Sequence, residues 1–181
     1  LPKETFKKCS VLYDFCRTID DIVDEDDDLA VKQKKFIEFK LNFKNKSTSS
    51  SIIKNICELI KQENISKKIV EDLFDGVESD LKLKVVLANK KDLLIYAYRV
   101  AGTVGLMMAK IFKVKDTFAL KCAIDLGIAM QLTNISRDVL EDKKLNRYYI
   151  KHDFETIKET IKIADTFYKS SFIAIKSIPI A

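Results

Sequence analysis

Asp20 and Asp24 could together bind a divalent cation near the start of the chain. The two residues are four positions apart, so on a helix their Cβ atoms would lie about 5–6 Å from each other on one face. Carboxylates at that distance repel each other unless a cation binds them, and magnesium usually takes one or two carboxylates together with phosphate and water oxygens. The spacing therefore indicates a magnesium diphosphate site. The alternative is a solvated helix end, since seven of the nine residues from Asp20 to Asp28 are acidic.

A second set of polar side chains interrupts an apolar helical pattern between positions 117 and 142. Residues 126–130 and 139–140 are apolar, whereas polar groups recur around them at steps of three and four. Buried polar groups need partners. An amide oxygen and two carboxylates one turn apart could bind one cation while a glutamine donates to a phosphate. This stripe is the more informative of the two acidic segments, and its members are Gln131, Asn134, Asp138, Glu141 and Asp142.

The chain has 28 lysines but only four arginines, and three of the arginines flank the two acidic segments. These three are Arg17, Arg137 and Arg147. A planar guanidinium binds phosphate through two parallel hydrogen bonds, which an ammonium group cannot do. The placement therefore favours contacts with a diphosphate. The alternative is that Arg17 and Arg137 form salt bridges with neighbouring acids, which contribute little when exposed.

Three glycines, Gly102, Gly105 and Gly127, fall inside predicted helices, where each costs about 1 kcal/mol relative to alanine. The fold should therefore require the missing side chains. One explanation is close packing between helices. The other is space for a hydrocarbon tail along residues 100–105, with the apolar residues 106–108 lining it.

Helices must position these residues, because apolar side chains recur at three- and four-residue steps through most of the chain. Only two prolines and four glycines occur, which argues against many short strands. Ser66, Asp92 and Asp116 are suitable N-caps. We predict one all-α domain with helices over residues 2–25, 31–43, 52–62, 66–83, 93–112, 117–142 and 154–177.

The composition narrows the class of protein. The formal net charge is +5, but the lysines are scattered, so nucleic-acid binding is not expected. The four cysteines lack CxxC spacing and His152 is the sole histidine, so we expect reduced thiols and neither a zinc nor a di-iron site. No run approaches the roughly 18 apolar residues of a membrane span, so we expect a soluble or peripheral protein. Because the chain begins at Leu1 and ends soon after Pro179, we expect it to be incomplete.

Two segments, residues 16–24 and 131–142, resemble the first and second Asp-rich motifs of the squalene/phytoene synthase family. Residues 100–108 are similar to a segment typical of bacterial phytoene synthases, and Arg147 and Tyr149 match the Arg-x-Tyr that follows the second motif. The resemblance implies a single-domain, isoprenoid-synthase-type helical bundle around a central apolar cavity. It implies that residues 1–181 are a partial catalytic domain, without the family's N-terminal and C-terminal parts, and we expect it to be inactive or poorly active alone.

The implied activity is the head-to-head condensation of two geranylgeranyl diphosphates to phytoene, through the cyclopropyl prephytoene diphosphate, as the first step of carotenoid biosynthesis. The implied cofactor is Mg²⁺, with Mn²⁺ as a substitute and no NADPH. The implied partners are prenyl diphosphates, with no nucleic acid. The implied location is the cytoplasm, with peripheral attachment to the inner face of the membrane for release of a lipid product.

The resemblance also assigns roles to individual residues. It implies that the metal ions are held by Asp20, Asp24, Asn134, Asp138 and Asp142. It implies that Tyr149 joins the four aspartates as a catalytic residue. Contacts with the substrate or the departing pyrophosphate are implied for Tyr13, Arg17, Val100, Ala101, Gly102, Val104, Gly105, Gln131, Asn134, Arg137 and Arg147.

Three other functions stay open. A squalene or dehydrosqualene synthase would use farnesyl diphosphate, and squalene formation would add reduction by NADPH. A head-to-tail prenyltransferase or a terpene synthase shares the DDxxD pattern of residues 20–24, but its second motif differs from residues 134–142. A non-enzymatic helical assembly protein would keep the fold, and its acidic residues would have only a structural role.

The sequence departs from the family pattern at Ile150 and Lys151, which stand where many relatives have Leu-Pro. The following loop is therefore expected to differ.

Overall fold

The periodic apolar residues produce a bundle of helices with one short pair of strands, and the computed structural model describes residues 1–174. The predicted all-α class is confirmed. A single π-helical turn, Tyr98–Gly102, interrupts the helices near the middle of the chain. The other elements are α1 (Lys3–Asp24), α2 (Leu29–Lys44), α3 (Ser51–Gln62), α4 (Lys67–Glu78), β1 (Val85–Val86), α5 (Lys90–Ala97), α6 (Thr103–Ile111), α7 (Thr117–Arg137), α8 (Val139–Lys144), β2 (Arg147–Tyr148) and α9 (Phe154–Phe172).

The first core forms where α1 packs against α2, α3 and α4. Phe15 on α1 is completely buried. Its ring centroid lies 6.0 Å from that of Phe74 in an edge-on arrangement, and Phe74 meets Phe36 in the same way. Aromatic rings prefer this geometry to a face-to-face sandwich. This packing holds α1, the helix that carries the first acidic segment, in place. The sequence predicted this helix over residues 2–25, within one residue of its observed ends.

The two short strands were not predicted. Ser66 caps α4 as expected, but the helix ends at Glu78, well before the predicted position 83. The chain then enters β1, which pairs in parallel with β2. The Val85 N–H donates to the Asn146 carbonyl at 3.0 Å, and the Leu87 N–H donates to the Tyr148 carbonyl at 3.2 Å. The pairing brings the loop after α4 against the segment that follows the second acidic stripe.

The helix predicted over residues 93–112 is present but interrupted. It begins at Lys90, and its N-cap is Asn89 rather than Asp92. The π-helical turn then separates α5 from α6. Such turns are rare and often lie at functional sites.

The π-helical turn packs tightly on α4. A Cβ added at Gly76 would lie 2.7 Å from the Cβ of Arg99 and 2.9 Å from Cγ1 of Val100. The Tyr98 hydroxyl also donates to the Asp72 carboxylate at 3.2 Å. The turn is therefore held in place by α4 on one side, and Val100 and Ala101 line an apolar cavity on its other side.

The second acidic stripe spans a break between two helices. The Asp116 side chain caps α7 by accepting two backbone N–H groups, as predicted. α7 ends at Arg137 instead of continuing to position 142, and Asp138 connects it to α8. The Asp142 N–H nevertheless donates to the Asp138 carbonyl at 2.8 Å. The two carboxylates therefore keep their predicted spacing of about one turn.

α9 packs along α7 and forms one side of the bundle. The Ser170 hydroxyl donates to the Asp125 carboxylate at 2.6 Å and ties the two helices together. α9 begins at Phe154, as predicted, with Asp153 as its N-cap. The helix ends at Phe172, before the predicted position 177, which like Pro179 lies outside the described residues.

Two helical stretches are long and apolar enough, by composition alone, to cross a membrane. Residues 90–111 and 117–137 each reach a mean hydropathy of 1.2 in an 18-residue window, of which 39% is buried. The two stretches pack against each other, and many of their accessible apolar residues line one cavity. The residues that line the cavity account for part of the hydropathy of these two stretches, which were not predicted from the sequence to be long and apolar enough for a membrane span.

Candidate active site

An apolar cavity of about 840 Å³ lies between α1, the π-helical turn, α6, α7 and α9. Its volume falls in the range of roughly 300–1,000 Å³ that is typical of ligand pockets. Its polar side chains include Asp20, Gln131 and Asn134, from the C-terminal halves of α1 and α7. The rest of the wall is largely apolar and includes Ile19, Leu73, Met108, Ala109, Phe112, Val114, Ala119, Cys122, Ala123, Leu126 and Met130.

The segment predicted to bind a hydrocarbon tail lies on this wall, with one difference. Gly102 is outside the lining and packs against α7, where a Cβ would lie 3.1 Å from Cγ2 of Ile124. Tyr13, a predicted substrate contact, lies on the lining and is 66% exposed. The segment residues that line the cavity are Val100, Ala101, Val104 and Gly105.

Two glycines allow neighbouring backbones to approach α7. A Cβ on Gly105 would lie 2.2 Å from the Ala123 carbonyl oxygen. A Cβ on Gly127 would lie 2.3 Å from the Ala101 carbonyl oxygen. Neither position can accept a side chain unless the backbone moves. Both glycines also line the cavity, so close packing and space for a ligand apply together.

Asp20 carries the first acidic segment into the cavity. Its side chain is exposed, yet the neighbouring protein partly desolvates the carboxylate. This desolvation, followed by the charge of Asp24, raises the pKa of Asp20 to about 6 although Arg17 acts in the opposite direction. The negative charge at this end of the cavity is therefore only partly compensated by the protein.

Arg147 links the two acidic segments. Its two terminal nitrogens each lie 3.4 Å from Oδ1 of Asp24, and its side chain is only 15% exposed. Burial opposes its charge, but Tyr149, Asp80 and Asp24 together hold its pKa above the usual value. Arg147, in the segment that follows the second stripe, therefore places a permanent positive charge against the helix that carries Asp24.

Arg17 and Arg137 pair with neighbouring acids, which is the alternative that the sequence left open. Arg137 donates twice to Asp138 at 2.6 Å and thereby lowers the pKa of that carboxyl. Arg17 lies 2.8 Å from Asp21. The side chain of Arg137 is 67% exposed and that of Arg17 is 61% exposed, so these pairs contribute little to stability. Either guanidinium is free to turn toward a phosphate.

Asp142 lies beside Arg147, outside the lining of the main cavity. Burial is the main cause that raises the pKa of Asp142 to about 6; Arg147 acts against it, and the charges of Asp138 and Asp80 add to it. Asp80 also acts on Asp20. One half-buried carboxylate, that of Asp80, is therefore close enough to influence both acidic segments.

Asp80 and Tyr96 are the site residues that the sequence analysis missed. The Asp80 carboxylate accepts from the hydroxyls of Tyr96 at 2.7 Å and Tyr149 at 2.8 Å, and the two hydroxyls are 3.0 Å apart. Burial raises the pKa of Asp80, while the tyrosines and Arg147 partly offset the effect. The one available signal was a tyrosine inside the apolar run 93–97, because a buried hydroxyl needs a partner.

The predicted metal ligands are all oxygen donors, which suits magnesium. Within residues 1–174, no three acidic, histidine or cysteine side chains already converge as a closed metal site. Magnesium seldom needs one, because phosphate and water usually complete its coordination. The raised pKa values of Asp20 and Asp142 indicate negative charge that a cation would neutralise. The residues present therefore fit a cation that binds together with a diphosphate.

The chain resembles known proteins over most of its length. The family model for squalene/phytoene synthase matches residues 1–154. The 15-cis-phytoene synthase of Pantoea ananas is 30% identical over 159 residues, which cover 81% of this chain and 51% of that protein. The chain thus spans about half the length of the curated relatives it matches.

Solved structures share the same arrangement of helices. A dehydrosqualene synthase in complex with a ligand superposes with a TM-score of 0.77 at 25% identity, covering 99% of this chain and 70% of that one. A squalene synthase from Alicyclobacillus acidocaldarius gives a TM-score of 0.80 at 18% identity, covering 99% and 76%. Because the identity to this squalene synthase is only 18%, the similarity shows a shared fold and nothing about function. The predicted isoprenoid-synthase-type bundle is confirmed.

Proposed function

Since the chain belongs to the squalene/phytoene synthase family, we propose that the protein containing it joins two prenyl diphosphates head to head, with geranylgeranyl diphosphate as substrate and phytoene as product. One observation carries this proposal. A single cavity is apolar along α6 and α7 and has Asp20, Gln131 and Asn134 among its few polar side chains. Such a cavity suits a substrate that has a long hydrocarbon tail and a diphosphate head.

The length of the cavity supports a twenty-carbon donor. Its lining extends along α7 from Asn134 to Ala119, fifteen residues apart, which is about 22 Å at 1.5 Å per residue. An extended chain of four isoprene units has 16 main-chain bonds and spans about 20 Å, for bonds of about 1.5 Å at angles of about 111°. Three units would span about 15 Å. The longer chain would use the full length of the wall.

The residues at the polar end would bind the heads of the two substrates. Gln131 would donate to a phosphate oxygen, and the exposed Arg17 and Arg137 would exchange their carboxylate partners for the departing pyrophosphate. Bound magnesium would neutralise the charge of the leaving diphosphate. The residues that would hold it are Asp20, Asp24, Asn134, Asp138 and Asp142.

The reaction would proceed through two ionisations. Departure of the first diphosphate leaves an allylic cation, which the double bond of the second substrate attacks, and loss of a proton closes the cyclopropyl diphosphate. Departure of the second diphosphate allows rearrangement, and a further proton loss to pyrophosphate or a protein base gives the linear product. The apolar walls, including Val104 and Met108, exclude water that would quench the cations.

A second candidate is the same condensation with farnesyl diphosphate. The likeness to a dehydrosqualene synthase favours it. Under either candidate we propose that Mg²⁺ is required and that Mn²⁺ can replace it; under the first, phytoene formation would need no NADPH. We also propose that the protein acts in the cytoplasm, attached peripherally to the inner face of the membrane, where a hydrocarbon product would be released.

The test uses the complete protein that contains this chain, with magnesium and either geranylgeranyl or farnesyl diphosphate, with and without NADPH. Chromatography and mass spectrometry identify the hydrocarbon. We expect phytoene from geranylgeranyl diphosphate, loss of product in Asp138→Asn, and normal product in the exposed control Asp165→Asn. Preferential squalene or dehydrosqualene formation would support the second candidate. Absence of hydrocarbon with both substrates would contradict head-to-head condensation.

A further inference from the structure

A second groove lies between α2, α3 and α4 and shares no lining residue with the main cavity. Its volume is about 970 Å³, at the upper end of the range of roughly 300–1,000 Å³ for ligand pockets. Phe43, Ile60 and Phe74 are buried in its floor, and the wall on α2 carries Ile37 and Leu41, which are 52% and 51% exposed. The floor and this wall together offer an apolar surface to a hydrocarbon chain.

The rim of this groove is basic. Lys40 is paired with Glu78 at 2.6 Å and is electrically neutralised by it. Four further lysines line the groove together with two further glutamates, which leaves a net charge of +2. Among the described residues, none of these four lysines has a carboxylate within salt-bridge distance, as the ion pairs of residues 1–174 show. They are Lys44, Lys46, Lys61 and Lys67.

Two of these ammonium groups approach the thiol of Cys57. Burial raises the pKa of Cys57, whereas Lys46 and Lys67 act in the opposite direction. Cys57 lines the groove and is only partly buried. Cys57 therefore lines the same groove as the apolar floor and the basic rim, within range of the charges of both lysines.

We propose that this groove binds a single-chain amphiphile whose head is a phosphate monoester. The apolar floor matches the chain, and the net charge of +2 matches a phosphate monoester, which carries about −1.5 to −2 at pH 7. The main cavity has the opposite character, because Asp20 lies on its wall. An anionic head would therefore bind in the groove without magnesium, but would need magnesium in the main cavity.

Cys57 provides a direct readout of binding. The experiment measures alkylation of the whole chain by N-ethylmaleimide in EDTA, with peptide mass spectrometry to separate Cys57 from Cys9, which lines neither pocket. The probes are dodecyl phosphate below its micellar concentration and dodecyl maltoside, which has the same tail and no charge. We expect dodecyl phosphate to slow alkylation of Cys57 but not of Cys9, and dodecyl maltoside to have much less effect.

Two pairs of substitutions locate the head of the amphiphile. Lys46→Gln/Lys67→Gln should weaken dodecyl phosphate binding by about tenfold, equivalent to about 1.4 kcal/mol. Lys3→Gln/Lys7→Gln removes the same charge from an exposed part of α1 and should leave binding unchanged. All four lysines are exposed, so neither pair should disturb folding. Unchanged binding in Lys46→Gln/Lys67→Gln would overturn the proposal.

The tail is tested separately. Leu41→Glu places a charge on the exposed apolar wall and should abolish protection of Cys57 by dodecyl phosphate. Farnesyl monophosphate and lysophosphatidic acid, both phosphate monoesters on one chain, distinguish an isoprenoid from a phospholipid source, and binding of either supports the proposal. Equal protection by dodecyl maltoside would overturn it. Protection that rises with protein concentration alone, together with a dimer in light scattering, would assign the groove to a second copy of the chain instead.

Discussion

The Tyr149 hydroxyl donates to the Asp80 carboxylate at 2.8 Å, although the two residues are 69 positions apart. The parallel pairing of β1 with β2 makes this contact possible, because it holds the loop that contains Asp80 beside the segment that contains Tyr149. Tyr96 completes the group by donating to the same carboxylate at 2.7 Å. The charge of Asp80 then acts on Arg147 at the junction of the two acidic segments.

Replacing Tyr96 with phenylalanine tests this group. The substitution removes one of two donors to a largely buried carboxylate, so the free energy of unfolding should fall by about 1–3 kcal/mol. Urea unfolding at pH 7 measures the change. Tyr98→Phe is the matched control, because its hydroxyl donates at 3.2 Å to Asp72, which lies away from the cavity. A loss in Tyr96→Phe no larger than in Tyr98→Phe would contradict a special role for the Asp80 group.

Arg147 is expected to matter for activity because it is the partly buried cation between the acidic segments. In the complete protein, Arg147→Gln should lower kcat/KM by about 10²–10³-fold, as for loss of a preorganised group that stabilises developing charge. Arg147→Lys should restore only part of this loss, since an ammonium group lacks the planar fork. Initial rates with labelled geranylgeranyl diphosphate measure both variants.

Arg99→Gln provides the control for Arg147. Arg99 lies 3.7 Å from Asp75, and neither residue lines the main cavity. Its rate should stay close to that of the parent protein. Full activity of Arg147→Lys would show that a positive charge suffices there and that the guanidinium geometry is unimportant.

Local spacing made part of the site predictable. Asp20 and Asp24 are one turn apart on any helix, and the stripe from Asn134 to Asp142 keeps its spacing across the break at Asp138, because both depend on neighbours in sequence. The contact between Asp80 and Tyr149 depends instead on two strands of two residues each, which are too short to produce a periodic pattern.

The interruption at residues 98–102 was unpredictable for a related reason. The π-helical turn lies where Gly76 on α4 and Gly127 on α7 allow the backbone to pass between two helices. The sequence showed that the glycines inside helices needed an explanation. It did not contain the tertiary packing that supplies one.

Asp20 should make stability depend on pH. Its pKa rises from 3.8 to about 6 in the fold, so the folded state holds the proton more tightly than the unfolded state. Its contribution to stability is therefore greatest below about pH 4 and is lost as the pH rises toward 6. Asp20→Asn keeps a neutral side chain at every pH. In EDTA, the variant should match the parent protein near pH 4 and be more stable than it above pH 6.

Thermal unfolding of both proteins from pH 4 to pH 8 measures this difference. Asp14→Asn, at an exposed position of the same helix, is the control and should not become more stable than the parent protein above pH 6. Magnesium with pyrophosphate should raise the melting temperature of the parent protein at pH 7.5 more than that of Asp20→Asn. An advantage of Asp20→Asn over the parent protein that shrinks as the pH rises from 4 to 8 would have the wrong sign for this account. The expected gain in stability with loss of activity is the usual trade at a functional site.

Ala119 should set the longest hydrocarbon that the main cavity accepts. It lies at the end of the wall far from Asn134, in a cluster of mostly small side chains that includes Ala109 and Cys122. Ala119→Leu adds bulk there, where the last isoprene unit of a twenty-carbon chain would lie, while a fifteen-carbon chain would end before it. The ratio of kcat/KM for geranylgeranyl over farnesyl diphosphate should therefore fall by at least about tenfold. Lys121→Leu adds a leucine at an exposed position of the same helix and should leave the ratio unchanged.

An equal decline with both substrates would indicate general damage to the fold, which the melting temperature would reveal. An unchanged ratio in a stable Ala119→Leu protein would mean that the tail does not reach this end of the cavity.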